Sequence, residues 1–196
     1  MSPVPTSTEA FTPEQKARNF AHYEQITVRD SSLSAATQAV VAAETGHLDL
    51  AYDYLSETAL LDLGDLAGNT EHGLHIAALA GAWNGVVAGF GGLRPLSTGL
   101  TLSPRLPRAL TRIAFRLRWR GRCLQVEITP EQAVYRLLYG DDLELRHHGE
   151  PITVPRDGSV ARPIPAPEAV EPVHQPAGRE PLARRIRSGQ SEAGLI

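Results

Sequence analysis

Four polar residues could together bind an anion if the helices predicted around them meet in space. His72 and His75 lie at the start of a long apolar run, and Ser31 and Ser32 lie at the start of an earlier helical pattern. The N-terminus of a helix carries free backbone N–H groups and a partial positive charge, so it attracts phosphate or carboxylate. Hydroxyl and imidazole groups can add hydrogen bonds to such a ligand. A lone histidine there is more often a packed structural residue, and the sequence leaves that alternative open.

The apolar run that holds both histidines extends from Glu71 to Arg94 and predicts one central helix. Asn69 and Thr70 precede it and are typical N-cap residues, whereas Gly91 and Gly92 are typical of a helix end. A helix that is apolar on several faces is buried in a protein core or in a membrane. Because the run is rich in Gly and Ala and contains polar residues, we favour a buried helix of a large helical assembly over a membrane span.

The segment before this helix predicts further helices with short links. Residues 1–11 are rich in Pro, Ser and Thr and predict a flexible lead-in. A helix capped by Thr12 comes next, a second helix ends before Gly46, and a third spans about 49–63. We therefore predict a helical segment over residues 12–94.

At Pro95 the apolar period changes from that of a helix to that of a strand. Apolar residues alternate with polar ones, often arginine, which is typical of strands with one buried face. Residues 95–155 therefore predict an antiparallel β-sandwich domain, and the fold class is α+β. The apolar positions are Ile113, Phe115, Leu117 and Trp119, then Leu124, Val126 and Ile128, then Tyr135 and Leu137, then Leu143 and Leu145, and finally Ile152 and Val154.

The last segment, residues 156–196, has a different composition. Eight of the 15 prolines lie in 151–181, and large apolar residues become scarce. Such a composition buries too little apolar surface to offset the entropy of ordering the chain. We therefore predict a disordered tail.

Arginines are densest between residues 105 and 122. A nucleic-acid surface would combine such charges with stacking aromatic rings on the same face. Phe115 and Trp119 instead alternate with the arginines, so they point to the opposite face of the strand. We favour a solvated sheet face and expect no nucleic-acid partner.

Two adjacent histidines, His147 and His148, are a weaker candidate for a metal site with Glu144 or Glu150. Adjacent residues of a strand point to opposite faces, and the spacing matches no known ligand motif. We expect an exposed turn there, no metal site and no cofactor.

Overall composition restricts the possible classes of protein further. The chain has 196 residues, a net charge of −3 and a single cysteine, so an internal disulfide is excluded. The first ten residues lack the basic and apolar regions of a secretory signal. These features predict a cytoplasmic protein that does not associate with membranes.

Several runs of the sequence resemble one enzyme family over about residues 11–154. They are TVRDSSLSAATQAVVAAETGHLDLAYDYL, GNTEHGLHIAALAGAWNGVVAGFGGLR, LSPRLPRALTRIAFRLRWRGRCLQVEI and YRLLYGDDLELRHHGEP. They resemble the C-terminal part of glycoside hydrolase family 65, which includes maltose, trehalose and kojibiose phosphorylases and related α-glucoside hydrolases. The resemblance implies the last helices of a six-fold α/α-barrel followed by a jelly-roll-like β-sandwich.

The resemblance also implies a division of the chemistry between this chain and another segment. The family's general acid is a glutamate upstream in the barrel, so no catalytic residue is expected here. Ser31, Ser32 and His75 fall on the segments that hold phosphate in the family's phosphorylases. We therefore expect the phosphate side of a site for inverting phosphorolysis, with inorganic phosphate as co-substrate. The chain would be inactive without an upstream polypeptide that carries the rest of the barrel.

Two alternatives stay open at this point. Glu24, Asp30 and Glu71 are nearby carboxylates, and one of them facing the site would favour a hydrolase, in which a base activates water. The chain could also be a non-catalytic remnant or a carbohydrate-binding module. With most of the barrel absent, we expect the central helix to expose an apolar flank and the isolated chain to self-associate.

Overall fold

The computed structural model describes residues 11–187 and shows a helical unit followed by two packed sheets. Residues 1–10 of the predicted lead-in and residues 188–196 of the predicted tail lie outside the described residues. The helices are α1 (Pro13–Ile26), α2 (Ser34–Glu44), α3 (Leu48–Leu60), α4 (Ile76–Asn84) and α5 (Leu182–Arg187). A short 3₁₀ turn, Thr70–His72, precedes α4, and a π-helical turn, Gly85–Phe90, continues it. Among residues 11–187, no helix has both the length and the apolar character that a bilayer crossing requires.

Eight strands form two four-stranded sheets. They are β1 (Arg94–Leu96), β2 (Gly99–Leu102), β3 (Ile113–Trp119), β4 (Arg122–Ile128), β5 (Gln132–Tyr139), β6 (Leu143–His147), β7 (Glu150–Val154) and β8 (Ser159–Pro163). One sheet has the order β1-β2-β6-β7 and the other has the order β3-β4-β5-β8. The pair β2–β6 is parallel and the other pairs are antiparallel. The prediction of a purely antiparallel sandwich is therefore wrong for this one pair.

The alternating pattern of the sequence matches the faces of the sheets. Phe115, Val126 and Tyr135 stand opposite one another on β3, β4 and β5 and are buried. Arg120 and Gly121 form the two-residue turn between β3 and β4, with φ of 45° and 78°. Positive φ at both positions gives the turn a twist that suits an antiparallel hairpin. The strand predictions from β3 to β7 are therefore confirmed.

Sequence signals at the start of α1 are also confirmed. The Thr12 hydroxyl accepts a hydrogen bond from the Gln15 backbone N–H, and the Gln15 side chain accepts one from the Thr12 N–H. This reciprocal pair satisfies two N–H groups that the helix leaves without partners. Pro13 follows at the first helical position, where its fixed φ suits the helix.

The central helix begins later than the sequence predicts. Gly73 has a φ of 122° and interrupts the chain after the 3₁₀ turn, so α4 starts at Ile76. Asn69 and Thr70 do not cap the helix with their side chains; instead the Asp65 carboxylate accepts from both of their backbone N–H groups, at 3.0 and 3.1 Å. The prediction of a helix from residue 71 is therefore wrong.

One face of α4 and Leu74, which shortly precedes it, are exposed, as expected for the flank of the central helix. Leu74, Ile76, Leu79 and Trp83 are 62%, 69%, 46% and 54% exposed. Phe90 is buried, because the end of the π-helical turn packs against the sheet. We call the four exposed residues the α4 stripe.

A buried polar cluster joins α1, α2 and α3. The Glu24 carboxylate accepts from the Tyr54 hydroxyl at 2.6 Å and from the Gln38 side-chain amide at 2.7 Å. Tyr54 is fully buried, and burial followed by the bond to Glu24 raises its pKa. Tyr54 therefore faces inward, whereas Leu60 is 51% exposed.

The segment after β7 is ordered where the sequence predicts disorder. It adds β8 to the second sheet and then returns across the helices, and we call residues 164–184 the strap. Gln175 donates to Glu24 at 2.6 Å, the Arg179 carbonyl accepts from Arg29 at 2.9 Å, and Arg184 contacts Asp53 at 2.7 Å. These polar contacts hold the segment without a large apolar core, and composition alone does not reveal them.

The exposed turn expected at His147 and His148 is only partly right: His148 lies in the turn between β6 and β7 but is half-buried, and His147 ends β6. His147 is buried, with one ring nitrogen 2.7 Å from the Tyr135 hydroxyl and the other 2.9 Å from the Pro163 carbonyl. The His148 ring is 3.1 Å from the Pro104 carbonyl. The pair therefore links the two sheets and the loop after β2. Among the described residues, no group of three or more His, Cys, Asp or Glu could hold a metal ion.

We predict that Gln175→Ala destabilises the chain, because it removes one donor from a carboxylate that is 2% exposed. A lost hydrogen bond to a buried charged group costs about 1–3 kcal/mol. Gln25→Ala is the matched control, since Gln25 is exposed on the same helix as Glu24. Urea unfolding followed by circular dichroism measures both, and equal midpoints would contradict a stabilising role for the strap.

We also predict a loss of stability as the pH falls from about 6.5 to about 4. Burial lowers the pKa of His148 to about 4, so the unfolded chain binds more protons than the folded chain in this range. Stability therefore rises with pH across the window and falls on acidification. His148→Asn removes the titrating group and tolerates the left-handed φ of 47°.

The urea midpoint of His148→Asn should depend less on pH between 4 and 6.5 than that of the parent chain. His22→Gln is the control, because His22 is exposed on α1. An unchanged pH dependence in His148→Asn would refute the assignment.

Candidate anion-binding site at the start of two parallel helices

Helices α2 and α4 pack closely and run parallel. A Cβ added to Gly81 would lie 2.5 Å from the Cβ of Ala36, and one added to Gly89 would lie 3.7 Å from the Cβ of Ala43. From Gly81 of α4 to Gly89 of the π-helical turn the chain runs toward the C-terminus, and the contacted residue on α2 moves from Ala36 to Ala43, also toward the C-terminus. The two helices therefore point in the same direction. Their N-termini consequently lie at the same end of the helical unit, which is the arrangement that the predicted anion site requires.

Ser31 and Ser32 directly precede α2. Ser31 is exposed; its hydroxyl accepts from the Leu33 backbone N–H at 3.3 Å and its carbonyl accepts from Ser34 N–H at 3.0 Å. Ser32 is half-buried. No side chain caps α2 at its N-cap residue, Leu33. Both hydroxyls are thus placed where the first backbone N–H groups of the helix can share a ligand with them.

His75 is the N-cap residue of α4 and is held by Asp62. Its Nδ1 lies 2.6 Å from Asp62 Oδ1, and its backbone N–H donates to Asp62 Oδ2 at 2.9 Å. The Asp62 side chain is 7% exposed and the His75 side chain 20%. One carboxylate therefore fixes both the backbone and the ring of His75.

This contact determines which ring nitrogen can act on a ligand. A carboxylate accepts hydrogen bonds, so Nδ1 carries the proton toward Asp62 and Nε2 is the nitrogen available to a ligand. In the neutral ring, Nε2 accepts a hydrogen bond; in the protonated ring, it donates one. Direct donation to an unprotonated phosphate oxygen therefore requires the imidazolium form.

The other candidates are placed differently. The His72 side chain is 79% exposed in the 3₁₀ turn, with Glu71 3.6 Å away, so the interpretation of His72 as a first-turn helix residue is wrong. Asp30 is exposed, and Glu24 is buried in its hydrogen-bonded cluster. Of the three carboxylates considered as a hydrolase base, which are Glu24, Asp30 and Glu71, Glu24 is therefore unavailable.

Asp62 is the functional residue that sequence reasoning missed. It lies 13 residues before His75, in a stretch that the apolar pattern assigns to the end of the third helix. No helical or strand spacing links the two positions. The only local signal was an acidic residue close to the loop that leads into the apolar run.

Comparison with known proteins agrees with the order of the two units. The family profile described as the glycosyl hydrolase family 65 central catalytic domain matches residues 5–84. The profile of the family 65 C-terminal domain matches residues 93–154. The chain belongs to glycosyl hydrolase family 65.

Proteins with similar sequences include an uncharacterised glycosyl hydrolase and named phosphorylases. An uncharacterised glycosyl hydrolase of Mycobacterium leprae is 50% identical over 184 residues, which cover 92% of this chain and 23% of that protein. The alpha,alpha-trehalose phosphorylase of Thermoanaerobacter brockii is 40% identical over 144 residues, covering 74% of this chain and 19% of that protein. A solved structure from the human microbiome, provisionally named a kojibiose phosphorylase, superposes with a TM-score of 0.73 at 26% identity, over 79% of this chain and 21% of that one.

Two facts follow from the coverage. The chain spans about a fifth of the length of these relatives. A match over 92% of the chain also includes most of residues 156–187, so the Mycobacterium leprae glycosyl hydrolase shares sequence that forms the strap.

We predict that the neutral ring of His75 carries its proton on Nδ1, because Asp62 Oδ1 is 2.6 Å away. Long-range ¹H–¹⁵N NMR spectra distinguish the two tautomers. Asp62→Ala should shift the ring toward the Nε2-protonated form. Asp65→Ala is the control, because Asp65 bonds the same loop at Asn69 and Thr70 instead. An Nε2-protonated ring in the parent chain would refute the contact.

Proposed function

We propose that the chain forms the C-terminal part of an enzyme that cleaves α-linked glucose disaccharides with inversion, by phosphorolysis or by hydrolysis. In this proposal Ser31, Ser32 and His75 bind the phosphate co-substrate. The observation that carries the proposal is the parallel packing of α2 and α4, which brings the three residues to one end of the helical unit. Membership of family 65 supports the substrate class.

The direction of the helices supports an origin in an α/α-barrel. Lys16 at the start of α1 contacts Glu44 at the end of α2, so these two helices are antiparallel. Gly81 of α4 approaches Thr58 of α3, and Gly85, which follows α4, approaches Leu55. The contact on α3 therefore moves toward its N-terminus, so this pair is antiparallel too. Helices α2 and α4 thus run in one direction, and α1 and α3 run in the other. A ring of alternating inner and outer helices requires this arrangement. The two sheets would be the C-terminal, jelly-roll-like sandwich.

Phosphorolysis needs an acid for the glycosidic oxygen and an anion poised at the anomeric carbon. Phosphate is already anionic, so it needs no second carboxylate to activate it. Backbone N–H groups of two helix starts, two hydroxyls and a protonated His75 supply donors to its oxygens. In this proposal the acid comes from the part of the barrel outside this chain.

Hydrolysis is the second candidate, and the His75–Asp62 contact favours it specifically. When His75 is neutral, Nε2 can accept a proton from a water molecule while Asp62 stabilises the imidazolium that forms. The same side chain would then serve as a base in a hydrolase and as an anion ligand in a phosphorylase.

The α4 stripe supports the need for the rest of the barrel. Its four large side chains are about half or more exposed, which is typical of an interface. A groove of about 870 Å³ between α1 and α2, which Phe20, Tyr23 and Val40 help to line, offers further surface for missing helices. We propose that this chain is inactive and self-associates when it lacks them. Its cytoplasmic location stays a prediction from sequence.

The test is His75→Ala in the enzyme that contains the complete barrel, with initial rates measured against phosphate and disaccharide concentration. Loss of one charge-assisted hydrogen bond of about 1.5–3 kcal/mol should raise the phosphate requirement roughly ten- to a hundredfold, with little change for the sugar. His72→Ala, at an exposed histidine three residues earlier, is the control.

Three results would count against the proposal or redirect it. Phosphate dependence equal to that of the parent would exclude His75 as a phosphate ligand. A rate independent of phosphate that His75→Ala abolishes would favour the hydrolase. Activity of the isolated chain on maltose or trehalose would refute its dependence on the rest of the barrel.

A further inference from the structure

A small cavity of about 160 Å³ lies where the end of α4 meets the first sheet. Glu44, Arg94, Thr101, Ser103 and Arg105 contribute to its wall. It is at the opposite end of α4 from His75, about 20 Å away at the rise of a helix, so it is separate from the candidate site above. The cavity is smaller than the roughly 300–1,000 Å³ of sites for larger organic ligands, and it therefore suits a small ligand.

Arg105 supplies a positive charge that nothing in the described chain neutralises by contact. Among residues 11–187, no group accepts a hydrogen bond from its guanidinium or lies within ion-pair distance of it. Burial lowers the pKa of Arg105, with the more distant Glu44 and Glu168 acting in the opposite direction. A partly desolvated cation without an acceptor is unfavourable, so an anion placed beside it would be stabilised.

The neighbouring charges are already paired. Glu44 contacts Lys16 at 2.6 Å and Arg94 at 3.0 Å. Arg94 also donates to the carbonyls of Ala88 and Leu93 at 2.6 and 2.9 Å. The carboxylate of Glu44 is therefore compensated by two cations, and the positive charge of Arg105 is left for a ligand.

Two hydroxyl groups complete the donor set. Thr101 and Ser103 line the same cavity, and their hydroxyls make no hydrogen bond to any residue in the described part of the chain. Both can donate to a ligand oxygen. A guanidinium with two hydroxyls offers donors in several directions, which suits a tetrahedral oxyanion better than a planar carboxylate.

The backbone holds this cavity in shape. Ser103 N–H donates to the Gly92 carbonyl at 3.3 Å and Arg105 N–H donates to the Phe90 carbonyl at 2.8 Å. Gly92 has a φ of 60°, and a Cβ there would lie 2.3 Å from the Ser103 carbonyl oxygen. Close approach of the two segments thus fixes the position of Arg105 without any ligand.

We propose that this cavity binds a small tetrahedral oxyanion, namely a phosphate group, through Arg105, Ser103 and Thr101. The phosphate group could belong to inorganic phosphate or to a phosphorylated sugar, because both present the same three oxygens. Binding there is independent of the site at His75 and does not rest on the proposed reaction.

The test is calorimetric titration of the 196-residue chain that carries His75→Ala, which removes one of the three proposed ligands of the other phosphate site and weakens binding there. Orthophosphate and glucose 6-phosphate are titrated separately, which distinguishes the two sources. Saturable binding of either one is expected, and Arg105→Gln should weaken it about tenfold or more. Arg116→Gln is the matched control on an exposed arginine of β3.

Ser103→Ala provides a second, milder variant and should weaken binding by a smaller factor. Circular dichroism establishes that each variant is folded. No saturable binding of either probe, or equal affinity in Arg105→Gln and Arg116→Gln, would overturn the proposal.

Discussion

The helical unit depends on one buried carboxylate. Glu24 is 2% exposed and accepts from Tyr54 on α3, Gln38 on α2 and Gln175 on the strap. A carboxylate taken out of water is stable only when donors replace its hydration shell. Three donors from three different segments therefore have to converge on α1, and their positions fix how those segments pack.

The hydrogen bonds around Glu24 also determine the geometry of the candidate site. Gln38 orients α2 against α1, and Tyr54 orients α3 against both. The small residues on the inner side of α2 then admit the glycines of α4, so the two parallel helices approach closely. Ser31 and His75 precede α2 and α4. Their positions are set by the contacts between these two helices, which lie one to two helical turns away. Asp62 adds the last constraint, because it sets the ring orientation of His75.

Sequence alone predicted the elements whose signals are local. Alternation of apolar residues predicted β3 to β7, and the capping pattern at Thr12 predicted the start of α1. The family resemblance, which rests on longer runs, predicted the order of a helical unit and a sandwich. These features depend on neighbouring residues, and tertiary contacts did not override them.

The failures share a cause, which is contact between residues distant in the chain. Disorder was predicted after residue 155 because composition does not reveal the bond from Gln175 to Glu24, 151 residues apart. His147 was predicted as exposed because its partners, Tyr135 and Pro163, lie on two other strands. The start of α4 was misplaced because Gly73 and Asp65 stabilise a separate turn before it.

The strap also has a consequence for the order in which the chain can fold during synthesis. Gln175, one of the three donors to Glu24, is made 151 residues after it. Until then the carboxylate has its donors from α2 and α3 alone, and the surface that the strap covers is open to solvent and to other chains. Domains generally fold as units while synthesis proceeds, and contacts of high sequence separation form slowly. The helices of this protein therefore reach their final packing only after the strap has been made.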